Sequence, residues 1–233
     1  MNHKCNLGEV VVTGDGSWTM AHAEHGETYH SSHGAMAEAM ELYIGASGIK
    51  TRFASSAEVT SVLDVGLGLG YNALATIESW CDAPAPGPLN ILSLEINPEL
   101  VQALKSGTGA WQGNWTPKRL ELARALGGDP IQHPSGRATC HWQLVVGDAL
   151  VADLVGAFHY VWQDPFSPTK NPTMWSSAWF SRVRSIAAPG CMLLTYSVAR
   201  TVRDALAESG WQVDRIPTGT GRKRHWLRAI HTI

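Results

Sequence analysis

The segment Leu63-Asp64-Val65-Gly66-Leu67-Gly68-Leu69-Gly70 constrains this chain more than any other stretch of it. A short apolar run, Ser61–Val65, leads into three glycines at alternate positions, and Tyr71–Trp80 then carries apolar residues at helical spacing. Strand, glycine turn, helix is the opening of a βα unit. Glycine permits the sharp turn and leaves main-chain N–H groups open to a close ligand. The rhythm then repeats: strand Leu89–Leu94, helix Pro98–Leu104, strand Trp142–Val146, strand His159–Trp162, helix Met174–Ala187, strand Met192–Tyr196, helix Val198–Ser209, strand Trp211–Ile216 and a last strand around His225–Ile230. Near-continuous apolar strands alternating with helices predict an α/β fold, a doubly wound and mostly parallel sheet covered on both faces. The Gly/Thr-rich turn Pro217–Gly221 makes the last strand antiparallel to its predecessor.

Two segments stand outside this rhythm. Residues 1–60 read as an N-terminal extension that packs on the substrate side of a core spanning 61–233, the whole forming one domain. In the extension, Val10–Val12 and Trp18–Met20 flank Gly14-Asp15-Gly16 as a hairpin, and a polar stretch Gly26–Gly34 follows. Ala35, Met36, Ala39, Met40 and Tyr43 then fall at helical spacing. Residues 105–139 read as an insertion, rich in Gly and Pro, with Trp111 and Trp115 and a helical patch around Lys118–Leu126.

A length of 233 residues suits one well-cored domain, and 44 % hydrophobic with 16 % charged residues excludes disorder. No apolar run is long enough for a bilayer span, and Met1–Val12 lacks a secretory pattern, so the expected location is cytoplasmic. Cys5, Cys81, Cys140 and Cys191 lie far apart with no CxxC pair, which reads as reduced thiols in place of a disulfide frame or zinc site. Charge is uneven. Residues 182–233 hold nine Lys/Arg against three Asp/Glu (+6), and residues 1–181 hold nine against seventeen (−8). A basic C-terminal stretch of this kind suggests an anion-binding face.

The glycine spacing is G-x-G-x-G, unlike the G-x-G-x-x-G of dinucleotide sites. Asp64 at the strand end would repel a pyrophosphate and welcome the ammonium of a methionine moiety. Glu95 ends the second strand, where a carboxylate accepts both hydroxyls of a ribose. Asp148, followed by Ala149, ends the third, placed for an adenine amino group. Three acids at successive strand ends, in register with a glycine loop, point to S-adenosyl-L-methionine as cofactor. A dehydrogenase is the reading least compatible with this pattern.

After the fourth strand comes Gln163-Asp164-Pro165-Phe166-Ser167-Pro168-Thr169-Lys170-Asn171-Pro172-Thr173-Met174-Trp175. Three prolines stiffen it, and Phe166 and Trp175 offer flat faces for stacking. Asp164 is the acid aimed into the site. Methyl transfer needs an acceptor lone pair in line with the sulfonium carbon, so an amine acceptor must lose its proton, and a carboxylate there can take it.

The run Asp164-Pro165-Phe166-Ser167-Pro168-x-Lys170-Asn171-Pro172-x-Met174-Trp175 resembles the MnmC-type tRNA methyltransferases, which methylate the aminomethyl group on the wobble uridine. Gly26-Glu27-Thr28-Tyr29-His30-Ser31 with the helix through Glu38, the glycine loop with Asn72, and Gly221-Arg222-Lys223-Arg224 agree with the same family. These matches cover most of residues 17–230. The resemblance implies a Rossmann-like class I methyltransferase in stand-alone form, without the FAD-dependent oxidoreductase domain of the bifunctional members. It implies Asp164 as the acid at the acceptor amine, and Asp64, Gly66, Gly68, Gly70, Asn72, Glu95, Asp148 and Ala149 at the cofactor. Tyr29, Pro165, Phe166, Lys170, Asn171 and Trp175 would line the approach. The sequence departs from the family where many members have Glu at Asp64, Thr at Leu69, Leu at Tyr71 and Gly at Pro165.

The expected partner is a tRNA anticodon loop, whose wobble base is unpaired and can be splayed into a pocket. Arg222, Lys223 and Arg224 would meet phosphates, with Arg200 and Arg203 extending the path. No membrane partner is expected. His22, His25, His30 and His33 lack a carboxylate or cysteine pattern, so no metal is expected either, and a monomer suffices. Two rival readings remain: a methyltransferase of a small amine or protein side chain, and an inactive S-adenosyl-L-methionine-binding scaffold whose acceptor site is lost or is blocked by the 105–139 insertion.

Overall fold

A computed structural model describes residues 7–23, 26–218 and 225–232. Its centre is an eight-stranded sheet built from β3 (Thr60–Val65), β4 (Leu89–Glu95), β5 (Ile131–Gln132), β6 (Thr139–Val146), β7 (Phe158–Gln163), β8 (Ala187–Thr195), β9 (Gln212–Pro217) and β10 (His225–Ile230). The spatial order is β5-β6-β4-β3-β7-β8-β10-β9. Strands β6, β4, β3, β7 and β8 run parallel. β10 runs antiparallel to both β8 and β9, as the sequence predicts. From β3 the chain winds outward through β4 to β6 and then returns through β7 to β8, so the winding reverses at β3 and β7. In such sheets a crevice opens there, beyond the carboxyl ends of the strands.

Helices cover both faces. One face carries α3 (Tyr71–Cys81), α4 (Pro98–Ser106) and α5 (Pro117–Arg124), and the other carries α6 (Ser177–Ser185) and α7 (Arg200–Glu208). Two apolar clusters fill the space between sheet and helices, one on each face. α3 follows three glycines at positive φ and is buried along nearly its whole length, which explains its apolar surface all round. α4 begins where the Asn97 side chain accepts from the N–H groups of Glu99 and Leu100, with Pro98 in the first helical position.

The N-terminal extension is a hairpin, β1 (Glu9–Val12) with β2 (Trp18–Ala21), followed by α1 (Ala35–Glu38), a π-helical stretch Ala39–Gly45, and α2 (Ile49–Ser55). The π turn is closed by a bond from Ala46 N–H to Glu41 O, five residues back, at 3.0 Å. This helical segment packs on α3, with Leu42, Tyr43, Ile49 and Phe53 fully buried. Each such side chain contributes about 1.5–3 kcal/mol through burial.

One expectation changes. The helix expected over Met174–Ala187 is a short 3₁₀ turn, Pro172–Trp175, and then α6, which starts afresh because Ser176 caps it through a bond from Trp179 N–H at 3.2 Å. It ends before Ala187, because that residue pairs with Phe158 and already belongs to β8. The 105–139 insertion is ordered. It holds a 3₁₀ turn (Ala110–Asn114), α5, and β5 as an antiparallel edge strand on β6. Its tryptophans brace the glycine loop from behind. Trp111 Nε1 donates to Leu69 O at 3.1 Å, and Trp115 Nε1 to the Tyr71 hydroxyl at 3.1 Å, which donates in turn to Trp18 O at 2.7 Å.

Candidate active site

A cavity of about 730 Å³ opens at the carboxyl edge of the sheet. That volume suits one drug-sized ligand with room beside it. The glycine loop forms its floor. Gly66 and Gly68 line it at φ 83° and 53°, where any side chain would be strained. A Cβ at Gly66 would lie 3.0 Å from the Asp164 carbonyl oxygen, and one at Gly68 would lie 3.3 Å from the Tyr29 ring. Main chain, not merely flexibility, is what these positions supply.

Glu95, the last residue of β4, lines the same cavity and is buried. Its Oε2 accepts from Gly68 N–H at 2.9 Å and its Oε1 from Asn97 N–H at 2.9 Å. Burial pushes its carboxyl upward, opposed by those N–H donors and that of Ile96. Asp148 and Ala149 follow β6 and lie on the cavity wall, with Asp148 Oδ1 also closing its own turn through Leu150 N–H at 2.9 Å. Glycine main chain, a strand-end carboxylate with spare acceptor capacity, and a second acid one strand over would suit the methionine moiety, ribose and adenine of S-adenosyl-L-methionine.

Asp164 follows β7 and lines the same cavity, its main chain packed against Gly66 of the glycine loop. Asn72, from the first turn of α3, donates its Nδ2 to Asp164 Oδ2 at 2.7 Å. The Tyr43 hydroxyl also bonds to this carboxyl. Burial pushes Asp164 up to about 8, and the negative Glu38 carboxylate adds to the rise, while Asn72 and Tyr43 oppose it. A carboxyl raised this far, on a residue that lines the cavity, is a strong base in its ionised form and is suited to take up a proton.

Tyr29, Pro165, Phe166, Lys170 and Asn171 line the cavity too. His22, Tyr29 and Phe166 form a triangle of rings with centroids 5.0–5.7 Å apart. The loop carrying Phe166 is held from two sides. Ser167 Oγ donates to Glu27 Oε1 at 2.7 Å, and the Tyr196 hydroxyl donates to Pro165 O at 3.0 Å.

Four expected contacts lie elsewhere. Asp64 is not on the cavity wall. Its side chain turns into the sheet, where Ser93 Oγ donates to Oδ2 at 2.7 Å and Trp142 Nε1 donates to Ser93 Oγ at 2.9 Å. Strand alternation sends it inward, and burial raises it to about 7. Gly70 sits against Leu104, where a Cβ would come within 3.0 Å, and serves the turn into α3. Asn72 reaches the site through Asp164 and not the cavity wall. Trp175 is buried, its Nε1 donating to Phe166 O at 2.8 Å and its ring meeting Tyr196 edge-on at 5.7 Å, so it braces the proline loop and the Tyr196 ring from behind the cavity wall. Arg222, Lys223 and Arg224, with His25 and Cys5, lie outside the described residues.

Sequence reasoning gave no site role to Tyr43, Glu27, Glu38 or Tyr196, naming them only as parts of helices, strands or segments. Tyr196 follows the end of β8, a strand-end position that could have been read like the others. Tyr43 had the pattern of a core residue, and only the packing shows its hydroxyl meeting Asp164. None of the residues 105–139 lines the cavity. The insertion therefore does not enter the cavity, which removes blocking by it as a ground for the scaffold reading. The basic C-terminal stretch is partly engaged. Arg228 pairs with Asp214 at 3.3 Å, Arg200 with Asp204 at 3.4 Å, and Arg182 binds main-chain carbonyls.

Residues 128–232 match a family model described as S-adenosyl-L-methionine-dependent methyltransferase. The chain is 32 % identical over 211 residues to the tRNA 5-methylaminomethyl-2-thiouridine biosynthesis bifunctional protein MnmC of Ralstonia nicotianae, covering 87 % of this chain and 31 % of that protein. The Pseudomonas aeruginosa protein of the same name is 31 % identical, over 87 % of this chain and 32 % of its own length. The chain thus spans about a third of the curated relatives it matches. Among solved structures, MNMC2 from Aquifex aeolicus superimposes with a TM-score of 0.76 at 25 % identity, over 96 % of this chain and 70 % of that one. The glycopeptide N-methyltransferase MtfA shares the fold alone, with a TM-score of 0.50 at 16 % identity over 84 % of this chain and 99 % of that one.

Proposed function

This chain belongs to the S-adenosyl-L-methionine-dependent methyltransferases of the MnmC type, and from that premise we propose that it methylates the aminomethyl nitrogen on the wobble uridine of tRNA. The observation that carries this reading is the position of Asp164. Its main chain packs against the glycine loop at Gly66, and the residue lines the cavity together with the proline loop that follows it. One group therefore borders both the cofactor wall and the acceptor wall.

The bound cofactor supplies a methyl group on a positively charged sulfur. Gly66 and Gly68 would hold it through main chain, Glu95 through the ribose hydroxyls, and Asp148 with Ala149 at the adenine. The acceptor arrives at neutral pH largely as an ammonium ion and must lose a proton to expose its lone pair. A carboxylate oxygen of Asp164 takes that proton, held in place by Asn72 and Tyr43. The His22, Tyr29 and Phe166 rings offer apolar faces for the extruded base. Arg200 begins α7, just past β8 at the same sheet edge, with its side chain 84 % exposed, and can reach a phosphate.

The test is transfer of labelled methyl to tRNA carrying aminomethyl-uridine, with unmodified tRNA and Asp164→Ala as controls. Label in the modified tRNA alone, lost in the variant, supports the assignment. Label on free amines and none on tRNA would replace it with a small-amine methyltransferase. Among the described residues no helix is long and apolar enough to cross a membrane.

A further inference from the structure

The cavity is lined by Glu27, Glu38, Glu95, Asp148 and Asp164, but by a single Lys or Arg among the described residues, Lys170. Glu27 is engaged with Ser167 and Glu95 with the glycine loop. Glu38 lines the same cavity as Asp164 and Tyr196 and lies close enough to act on both electrostatically.

The helix geometry explains how it gets there. Glu38 ends α1 and immediately precedes the π-helical stretch that contains Tyr43. In a regular α-helix, residues five apart point about 140° away from each other. The wider π turn brings positions five apart back toward one face, and Glu38 and Tyr43 both act on Asp164. Ser31 N–H donates to Glu38 Oε2 at 3.3 Å and steadies the side chain from the polar N-terminal segment. The titratable groups around Asp164 are Glu38 and Tyr43 from the N-terminal helices, Asp64 from β3 and Tyr196 after β8, with the Asn72 amide from α3. His30, near Glu38, is held down at about 4 by burial and so brings no positive charge at neutral pH.

We infer that Glu38 is the second carboxylate of the acceptor pocket, drawing the substrate amine in as an ammonium ion and holding it against Asp164. This rests on the proposed methylation of a primary amine. The ammonium N–H bond breaks, its electron pair stays on nitrogen as the lone pair that attacks, and the proton ends on an Asp164 oxygen. Glu38 exchanges no proton. Its charge raises the proton affinity of Asp164 and offsets the positive charge of the incoming amine.

The test compares wild type, Glu38→Gln and Glu38→Asp by two readouts. The first is kcat/KM for tRNA carrying aminomethyl-uridine as a function of pH, with sinefungin affinity measured alongside. The second is the titration of the Asp164 carboxyl, followed by carbon-13 NMR with sinefungin bound and assigned through Asp164→Asn. Glu38→Gln is expected to lower kcat/KM about tenfold or more at neutral pH. Its sinefungin affinity should change less than about twofold, because Glu38 lies off the cofactor wall. It should also move the acidic limb of the profile and the Asp164 titration to lower pH, because a negative neighbour is gone. Glu38→Asp should recover part of both effects. An unchanged profile and an unmoved Asp164 titration in Glu38→Gln would overturn the inference. If wild type transfers no methyl to tRNA, the proposed substrate falls. The NMR titration then still decides the pairing of the two carboxylates.

Discussion

The side-chain amide of Asn72 donates to Asp164 Oδ2 at 2.7 Å, tying the first turn of the helix behind the glycine loop to the carboxyl at the end of β7. The bond joins the two halves of the site, because the same helix start presents the loop on which the cofactor would rest. It also lowers the proton affinity of Asp164 against the effect of burial.

Asn72→Ala should therefore act on chemistry more than on binding. Loss of a donor to a charged acceptor is worth about 1.5–3 kcal/mol, or roughly 10–100-fold in kcat. Without the donor, Asp164 holds its proton to higher pH, so the acidic limb of the kcat profile should move upward. Steady-state kinetics across pH checks both effects, and an unshifted limb would count against Asp164 as the proton acceptor.

Stability should fall as pH rises through neutrality. Burial raises Asp64 to about 7 and Asp164 to about 8 in the folded protein, against the usual 3.8 of an exposed aspartate. Between those limits the native state binds more protons than the unfolded chain, so unfolding becomes easier with each increment of pH. Thermal melts of the ligand-free protein should show Tm declining from about pH 5 to about pH 8. Asp64→Asn, which keeps the shape and removes the buried charge, should flatten that decline. An equal slope in both proteins would mean that Asp64 titrates normally.

Two glycines of the loop should respond differently to alanine. At Gly66 the new methyl would meet main chain, the Asp164 carbonyl oxygen at 3.0 Å and Pro165 Cα at 3.1 Å, at φ 83°. At Gly68 its closest neighbour would be the Tyr29 ring, 3.3 Å away, with the Gly66 carbonyl oxygen at an ordinary 3.8 Å, at φ 53°. Each carries a left-handed backbone cost of about 1–2 kcal/mol, but only Gly66→Ala also forces the β7 terminus to move. Gly66→Ala should lower Tm more and abolish activity, while Gly68→Ala should fold and lose cofactor affinity. Melting curves and calorimetry separate the two.

Arg182 should tune the cavity wall at Asp148 and Ala149, proposed above for the adenine, without lining the cavity itself. Its guanidinium, on α6, donates to Ala149 O at 2.7 Å and to the carbonyls of Leu150 and Ala152, gathering the loop after β6. Arg182→Lys keeps the charge but lacks the planar fork that serves several carbonyls at once. It should weaken cofactor binding about 5–20-fold, within the 1–3 kcal/mol typical of a lost bond to a charged donor, and leave the KM for tRNA unchanged. Isothermal titration with S-adenosyl-L-methionine measures the first and saturation kinetics the second.

The sequence by itself determined what depends on local chemistry. Glycines at 66, 68 and 70, the apolar strands between polar turns, and acids at the ends of β4, β6 and β7 fix the α/β order and the edge where the cavity opens. These follow from backbone freedom and periodicity, which short segments carry alone. The tertiary structure decided what depends on direction. Asp64 looked like one strand-end acid among four, but the alternation of β3 against β4 turns it to Ser93 and away from the cavity. Trp175 looked like a stacking face, yet its indole closes on the carbonyl of Phe166. Tyr43 looked like core, and the π turn delivers its hydroxyl to Asp164. The insertion with its two tryptophans had no readable role until it packed behind the glycine loop. A residue's type fixes what it can bond. Which way it points is set by neighbours that lie tens of residues away in the chain.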